Sequence, residues 1–122
     1  MGKRIVIAED EPHIARLVTF KLQREGYAVI WAKDGGEALE QISNTLPDLV
    51  ILDIMMPVMD GYEVLNRMKE SNEMKDIPVI MLSAKGQEQD IVKGLEHGTE
   101  DYIVKPFSPA ELVARIRKVL KE

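Results

Sequence analysis

The chain has 122 residues, of which 45% are hydrophobic and 30% charged, and its net charge is −5. This composition is typical of one globular domain, and the acidic balance argues against binding to a nucleic acid backbone. The sequence has no cysteine, so we expect no disulfide and no thiolate metal site, which suits a cytoplasmic location. It also has no apolar run near the roughly 20 residues that cross a bilayer, so we expect no membrane contact.

The chain begins with a strand and a helix. Residues 5–8 are mostly β-branched and predict a buried strand. The acids and proline of residues 9–12 predict a helix start, because acids suit the positive end of the helix dipole and proline tolerates the first turn. Gly26 is predicted to end this helix. Its predicted apolar stripe consists of Ile14, Leu17, Val18 and Leu22.

A third strand is the most distinctive stretch of the first half. It follows a predicted strand over residues 27–31, a turn over residues 34–36 and a short helix. Residues 49–52 are an all-apolar run, which fits a strand buried on both faces of a sheet, and they lead directly into Asp53. A carboxylate at that point either caps the next turn or serves as a reactive group, and position alone leaves both readings open.

The second half continues the alternation of helix and strand. Gly94 lies inside the predicted fourth helix and weakens it. The predicted elements are a helix from Gly61, a strand over residues 77–82, a loop over residues 83–86, a helix over residues 87–97, a strand over residues 102–104 and a helix capped by Ser108.

Five strands alternating with five helices predict a single α/β domain over residues 1–122. Short loops require right-handed crossovers and a parallel sheet covered on both faces, which is a doubly wound (βα)5 fold of the flavodoxin-like type. The strand order does not follow from the pattern. The order 2-1-3-4-5 is one common solution, and it places the ends of the first and third strands side by side.

Polar residues with matching chemistry follow four of the five strands: Glu9 and Asp10, Asp53, Ser83, and Lys105. The carboxyl ends of parallel strands share one edge of a sheet, so we expect these side chains to meet. Three adjacent carboxylates repel one another, and oxygen ligands alone favour a hard cation, Mg²⁺ or in its place Mn²⁺. The second strand supplies nothing comparable.

This set of residues suits phosphoryl transfer to Asp53. A carboxylate can act as the nucleophile, and a cation, a lysine and a hydroxyl can neutralise charge on the transferred group. Each residue also has an ordinary explanation: the acids could complement a helix dipole, Ser83 could cap a helix, and Lys105 could be any loop lysine. That separate ordinary roles should account for all four strand ends is a weaker hypothesis than one shared phosphoryl-transfer site.

Four motifs resemble response-regulator receiver domains of bacterial two-component signalling. They are IVIAEDEP, PDLVILDIMMPVMDG, PVIMLSA and GTEDYIVKPFSP. The last of them, with the helix that follows, is most similar to the OmpR/PhoB-like transcription factors. The resemblance implies a phosphorylation-activated switch that a sensor histidine kinase phosphorylates.

The resemblance also implies a role for each site residue. Asp53 would accept the phosphoryl group, and Glu9, Asp10, Asp53 and the main-chain carbonyl of Met55 would hold Mg²⁺. Glu9 stands where many members have aspartate, so its longer side chain would reach the metal directly or through water.

Further residues would respond to the phosphoryl group. Ser83 and Lys105 would bind it, and Tyr102 would be the aromatic switch residue that turns inward with Ser83. The Lys105–Pro106 peptide bond is expected to be cis. Ser83 stands where threonine is commoner.

The resemblance further implies a homodimer on activation, through the fourth helix, fifth strand and fifth helix. Ile91 stands where a basic residue is common, which removes one expected salt bridge between protomers. DNA would be contacted only through an output domain that this chain lacks. The residues expected on the dimer face are Val92, Leu95, Asp101, Glu111, Ala114 and Arg115.

Two other function classes fit the same fold. A phosphatase of the haloacid-dehalogenase type would need a second aspartate where Met55 stands. A flavin or nucleotide binder would need a glycine- or hydroxyl-rich phosphate cradle after the first strand, where acids stand instead. We therefore expect a switch that assists only its own phosphorylation and dephosphorylation, and not an enzyme with an outside substrate.

Overall fold

The computed structural model describes residues 2–84 and 98–122. The predicted fourth helix over residues 87–97 lies outside the described residues. No helix in the described part of the chain is long and apolar enough to cross a membrane. In chain order the elements are β1 (Arg4–Ala8), α1 (Pro12–Arg24), β2 (Ala28–Ala32), α2 (Gly35–Thr45), β3 (Leu49–Asp53), α3 (Gly61–Lys69), β4 (Val79–Ala84), β5 (Asp101–Lys105) and a C-terminal helix (Pro109–Leu120).

The five strands form one parallel sheet in the order β2-β1-β3-β4-β5. This order confirms the predicted flavodoxin-like doubly wound fold and selects the strand order that the sequence left open. The register pairs Ala8 with Leu52 and Asp53 with Leu82. The carboxyl ends of β1, β3 and β4 therefore lie at one edge of the sheet.

Apolar side chains fill both faces of the sheet. One layer packs α2 and α3 against the sheet through residues such as Ile42 and Leu65. The other packs α1 and the C-terminal helix through residues such as Leu22 and Ile116. All five residues of β3 are buried, as the all-apolar run predicted for residues 49–52.

Two helices begin as the sequence predicts. The Glu11 side chain accepts a hydrogen bond from the main-chain N–H of His13, and proline occupies the first turn of α1. Ser108 accepts from the N–H of Glu111 at 3.0 Å at the start of the C-terminal helix. These caps satisfy N–H groups that have no partner within the helix.

Three local predictions were wrong. Residues 34–36 were predicted as a turn, but two of them belong to α2, which begins at Gly35. Asp34 caps this helix, because its side chain accepts a hydrogen bond from the N–H of Glu37 at 2.8 Å. β4 begins at Val79 and continues through Ser83 and Ala84, because pairing with β5 extends to its last residue.

The third wrong prediction concerns Leu17. It lies 54% exposed, although it belongs to the predicted apolar stripe of α1. The buried positions of this helix are Ala15, Val18 and Leu22, which are spaced three and four residues apart. The small side chain of Ala15 marks the buried stripe less clearly than the larger Leu17, so the sequence pattern was misread.

The start of α2 packs closely on the segment before α3. A Cβ atom at Gly35 would lie 1.8 Å from the main-chain oxygen of Met59, whereas one at Gly36 would lie 3.2 Å from Cγ1 of Val58. We expect Gly35→Ala to lower the free energy of unfolding by about 1–3 kcal/mol through overpacking. Urea denaturation would measure this, with Gly36→Ala as the neighbouring control. Equal losses in the two variants would contradict the packing described.

Candidate functional site

Three carboxylates meet at the carboxyl edge of the sheet and form the acidic site (Glu9, Asp10 and Asp53). Each offers an oxygen atom within 4.8 Å of the others. Glu9 and Asp53 are buried, and Asp10 is exposed. The arrangement follows from the sheet, because β1 and β3 are neighbours and both end here. The structure thus brings together the acids that the sequence predicted to meet.

Lys105 joins two of these carboxylates. Its Nζ lies 3.0 Å from Oδ2 of Asp53 and 2.8 Å from Oε1 of Glu9. Lys105 ends β5, which is separated from β3 by β4, so its long side chain crosses the end of the intervening strand. The lysine partly neutralises two buried negative charges that would otherwise repel each other.

The buried position of Glu9 affects the pKa of its carboxyl group. It raises the pKa of Glu9 to about 7, and hydrogen bonding to Asp53 adds to the effect, while Lys105 opposes it. Burial by itself would lower the pKa of Lys105, but its hydrogen bonds to Glu9 and Asp53 outweigh burial and leave that pKa raised. The buried part of the site is therefore a tightly coupled group of two acids and one base.

The acidic site fits a hard divalent cation. Its donors are carboxylate oxygens, without sulfur or imidazole. Oε1 of Glu9 is fully buried, and Nζ of Lys105 lies 2.8 Å from it. Burying the charge of a carboxylate is costly, and a divalent cation would offset that cost together with Lys105.

Met55 lies in the segment that follows Asp53. Its main-chain N–H is 3.4 Å from Oδ1 of Asp53, and the residue as a whole is 62% exposed. Met56 and Met59, by contrast, pack against the core. The soft thioether of Met55 suits a hard cation poorly, so Met55 would contribute to a cation site through its main-chain carbonyl.

Ser83 and Tyr102 occupy the neighbouring strands β4 and β5. Ser83 is 1% exposed and lies one residue beyond Leu82, the partner of Asp53 in the sheet. Tyr102 is 9% exposed, so its ring points inward, and its hydroxyl lies 2.5 Å from the hydroxyl of Tyr62 on α3. Sequence reasoning missed Tyr62, since nothing in the helical pattern of α3 distinguishes it from an ordinary core residue.

The second strand, all of which the structure describes, supplies no carboxylate, hydroxyl or lysine to the acidic site, but Trp31 of β2 contacts the main chain of Glu9. The indole N–H of Trp31 donates to the main-chain oxygen of Glu9 at 2.7 Å. Sequence reasoning missed this contact because it depends on the pairing of β1 with β2. The one available signal was a tryptophan at the end of the predicted second strand.

The predicted dimer face is only partly described. Val92 and Leu95, like Ile91, lie outside the described residues, and Ala114 is exposed. Nη1 of Arg115 lies 2.9 Å from Oδ1 of Asp101, so two residues expected on the dimer face pair within one chain. Nη2 of Arg115 also lies 3.2 Å from Oε2 of Glu111 on the same helix.

The peptide bond between Lys105 and Pro106 is cis, which confirms the prediction. Proline makes this geometry accessible, because cis and trans differ little in energy before proline. The bond lies directly after the lysine that contacts the acidic site.

Comparison with known proteins agrees with this geometry. Residues 5–117 match the response regulator receiver domain. The chain is 45% identical over 121 residues to the phosphate regulon transcriptional regulatory protein PhoB of Escherichia coli strain K12, covering 99% of this chain and 53% of that protein. The chain thus spans about half the length of the curated relatives it matches.

Solved structures give the same result. The Francisella response regulator 1452 receiver domain has a TM-score of 0.91 and 34% identity, with 98% of each chain covered. The receiver domain of the sensor histidine kinase PA1611 from Pseudomonas aeruginosa PAO1, solved with a magnesium ion coordinated in its active site cleft, has a TM-score of 0.91, 28% identity and full coverage of both chains. With the sheet order, the acidic site and its lysine, these matches show that the chain belongs to the family of response regulator receiver domains.

Proposed function

We propose that Asp53 accepts a phosphoryl group from the phosphohistidine of a sensor histidine kinase. A carboxylate oxygen of Asp53 would attack phosphorus while the bond to the histidine nitrogen breaks and the imidazole takes up a proton. The observation that carries this proposal is the contact of Asp53 with Lys105 at 3.0 Å within the acidic site. The carboxylate therefore lies beside a fixed positive charge, which can also bind the oxygens of an incoming phosphoryl group.

We propose Mg²⁺ as the cofactor, with Mn²⁺ as a substitute. Glu9, Asp10, Asp53 and the main-chain carbonyl of Met55 would hold it, and when bound it supplies positive charge for the phosphoryl oxygens. The fit of the acidic site to a hard cation supports this proposal, as does the magnesium ion in the related receiver domain from Pseudomonas aeruginosa.

The remaining residues would convert the new charge into a conformational change. A phosphoryl group adds about 1.5 to 2 negative charges and three acceptor oxygens. Lys105 and Ser83 would bind these oxygens, which changes the contacts of β4 and β5. Tyr102 would switch with Ser83, and its hydrogen bond to Tyr62 would favour the inward orientation. A pre-existing active population would then increase.

We infer that the active state controls transcription in the manner of the OmpR/PhoB-like relatives, from the cytoplasm. DNA contact would require an output domain. The domain would assist its own phosphorylation and dephosphorylation without turning over an outside substrate. A phosphatase of the haloacid-dehalogenase type is disfavoured because Met55 stands where its second aspartate would be.

A phosphorylation assay tests the function itself. The protein would be incubated with acetyl phosphate, with and without Mg²⁺, and analysed by intact-protein mass spectrometry. We expect one added phosphoryl group in the wild type with Mg²⁺ and none in Asp53→Asn. If the two proteins gain the same mass, Asp53 is not the acceptor. If the wild type gains equal mass without Mg²⁺, the cofactor proposal is wrong.

We propose that activation favours a homodimer through the fourth and fifth predicted helices and β5. Because Arg115 already pairs with Asp101 within one chain, a bridge between protomers would require this pair to open or to share its charges. Beryllofluoride should shift the protein toward a dimer in sedimentation velocity. Ala114→Glu, at an exposed position of the C-terminal helix, should prevent the shift. An unchanged profile of the wild type would contradict this dimer face.

A further inference from the structure

Both main-chain polar groups of Glu9 are bound by the end of β2. The N–H of Glu9 donates to the main-chain oxygen of Ala32 at 3.0 Å. The oxygen of Glu9 accepts from the indole Nε1 of Trp31 at 2.7 Å. The first bond continues the ladder between β1 and β2, whereas the second is made by a side chain at the point where the chain leaves the sheet. Glu9 is therefore held at its main chain independently of its carboxylate.

The bond from Trp31 fixes the peptide unit between two acids. The carbonyl of Glu9 and the N–H of Asp10 belong to one planar peptide group, so orienting the carbonyl orients the bond that leads into Asp10. The carboxylate of Asp10 is exposed, while that of Glu9 is fully buried. The direction of the chain at Asp10, where it leaves β1, therefore decides whether the Asp10 carboxylate lies beside those of Glu9 and Asp53.

We propose that Trp31 is a positioning residue of the acidic site, whose indole N–H holds the peptide between Glu9 and Asp10 in the orientation that lets both acids bind one divalent cation. The inference rests on the proposed Mg²⁺ site and names a residue on which its affinity depends. Trp31 would not contact the cation itself and acts through the main chain of Glu9, as hydrogen-bond partners of metal ligands commonly do.

An alternative explanation is that Trp31 only satisfies a carbonyl and covers the edge strand. Trp31 is 38% exposed, so a good part of its ring remains in solvent. A purely structural bond would stabilise the metal-free and metal-bound proteins equally. A positioning bond would change the affinity for the cation, and this difference separates the two explanations.

The sequence makes the contact measurable, because Trp31 is the one tryptophan of the chain. Its indole is hydrogen-bonded to a residue of the acidic site, so tryptophan emission should respond to events there. In the wild type we expect Mg²⁺ to change the emission along a saturable curve. Asp10→Asn should shift this curve to Mg²⁺ concentrations about tenfold higher or more. Emission that does not respond to Mg²⁺ while calorimetry detects Mg²⁺ binding would overturn the proposal.

Replacement of the indole N–H provides the decisive test. Trp31→Phe keeps an aromatic ring and removes the donor, and 3-benzothienylalanine at position 31 replaces the N–H by sulfur with almost unchanged shape. Isothermal titration calorimetry would measure the dissociation constant for Mg²⁺ in each protein. We expect both variants to bind Mg²⁺ about threefold to tenfold more weakly than the wild type, which is the usual contribution of one hydrogen bond.

Phe20→Leu supplies the matched control, since Phe20 is an exposed aromatic residue on α1. It should leave the affinity for Mg²⁺ unchanged. Equal affinities in the wild type and the benzothienylalanine protein would overturn the positioning role and leave the proposed Mg²⁺ site intact. A wild type that binds no Mg²⁺ would instead overturn the cofactor proposal, and the role of Trp31 with it.

Discussion

Replacing Lys105 by methionine is expected to lower the free energy of unfolding by about 3 kcal/mol in metal-free solution, as removal of one partner from a buried ion pair typically does. Lys105 contacts both buried carboxylates, at 2.8 Å from Glu9 and 3.0 Å from Asp53. Methionine keeps most of the side-chain volume and removes the charge. The two carboxylates would then face each other without a cation. They would either repel each other or force Glu9, whose pKa burial already raises to about 7, to take up a proton, and both outcomes cost stability.

Urea denaturation of the metal-free proteins would measure this loss. Lys118→Met is the matched control, because Lys118 is exposed on the C-terminal helix, and its effect should stay within about 0.5 kcal/mol. Adding Glu9→Gln to Lys105→Met should recover part of the lost stability, since it removes one of the repelling charges. A Lys105 variant as stable as the Lys118 variant would contradict the ion pairs described.

Asp10→Asn is expected to have two effects of opposite sign. In metal-free protein it should raise the melting temperature, because one of three carboxylates with oxygens within 4.8 Å loses its charge. Mg²⁺ should also stabilise this variant much less than it stabilises the wild type. We expect the affinity for Mg²⁺ to fall by about tenfold or more, since even the hydrogen-bond partners of metal ligands typically contribute that much.

Thermal unfolding at increasing Mg²⁺ concentrations would test both effects together. A cation that binds the folded state raises the melting temperature with its concentration. Asp76→Asn is the control, because Asp76 is exposed and precedes β4, at the opposite end of the sheet. It should respond to Mg²⁺ as the wild type does. If Asp10→Asn also responds like the wild type, the three acids do not form one cation site.

Apolar patterns predicted most of the fold. The buried run of residues 49–52 and the capped starts of two helices carry signals that depend only on neighbouring residues. The strand order was not accessible in this way, because the alternation of strands and helices permits several orders. The misread Leu17 shows a further limit, since the size of a side chain does not report which face of a helix it occupies.

Contacts across strands were the part that local patterns could not reach. The acids and Lys105 were predicted to meet because the carboxyl ends of parallel strands share an edge. The bond from Trp31 to Glu9 and the pair of Tyr62 with Tyr102 depend on register and on side-chain direction, which no spacing in the sequence encodes. The pairing of Arg115 with Asp101 within the chain was likewise not predicted.

The central claim is that Asp53, and neither Asp10 nor Glu9, accepts the phosphoryl group. Borohydride reduces an aspartyl phosphate to homoserine and leaves unmodified carboxylates intact, so it marks the acceptor permanently. Wild-type protein treated with acetyl phosphate and Mg²⁺, reduced and digested should yield homoserine at position 53 in tandem mass spectrometry, and only there. A reduced residue at position 9 or 10, or folded protein without any reduced residue, would contradict the account.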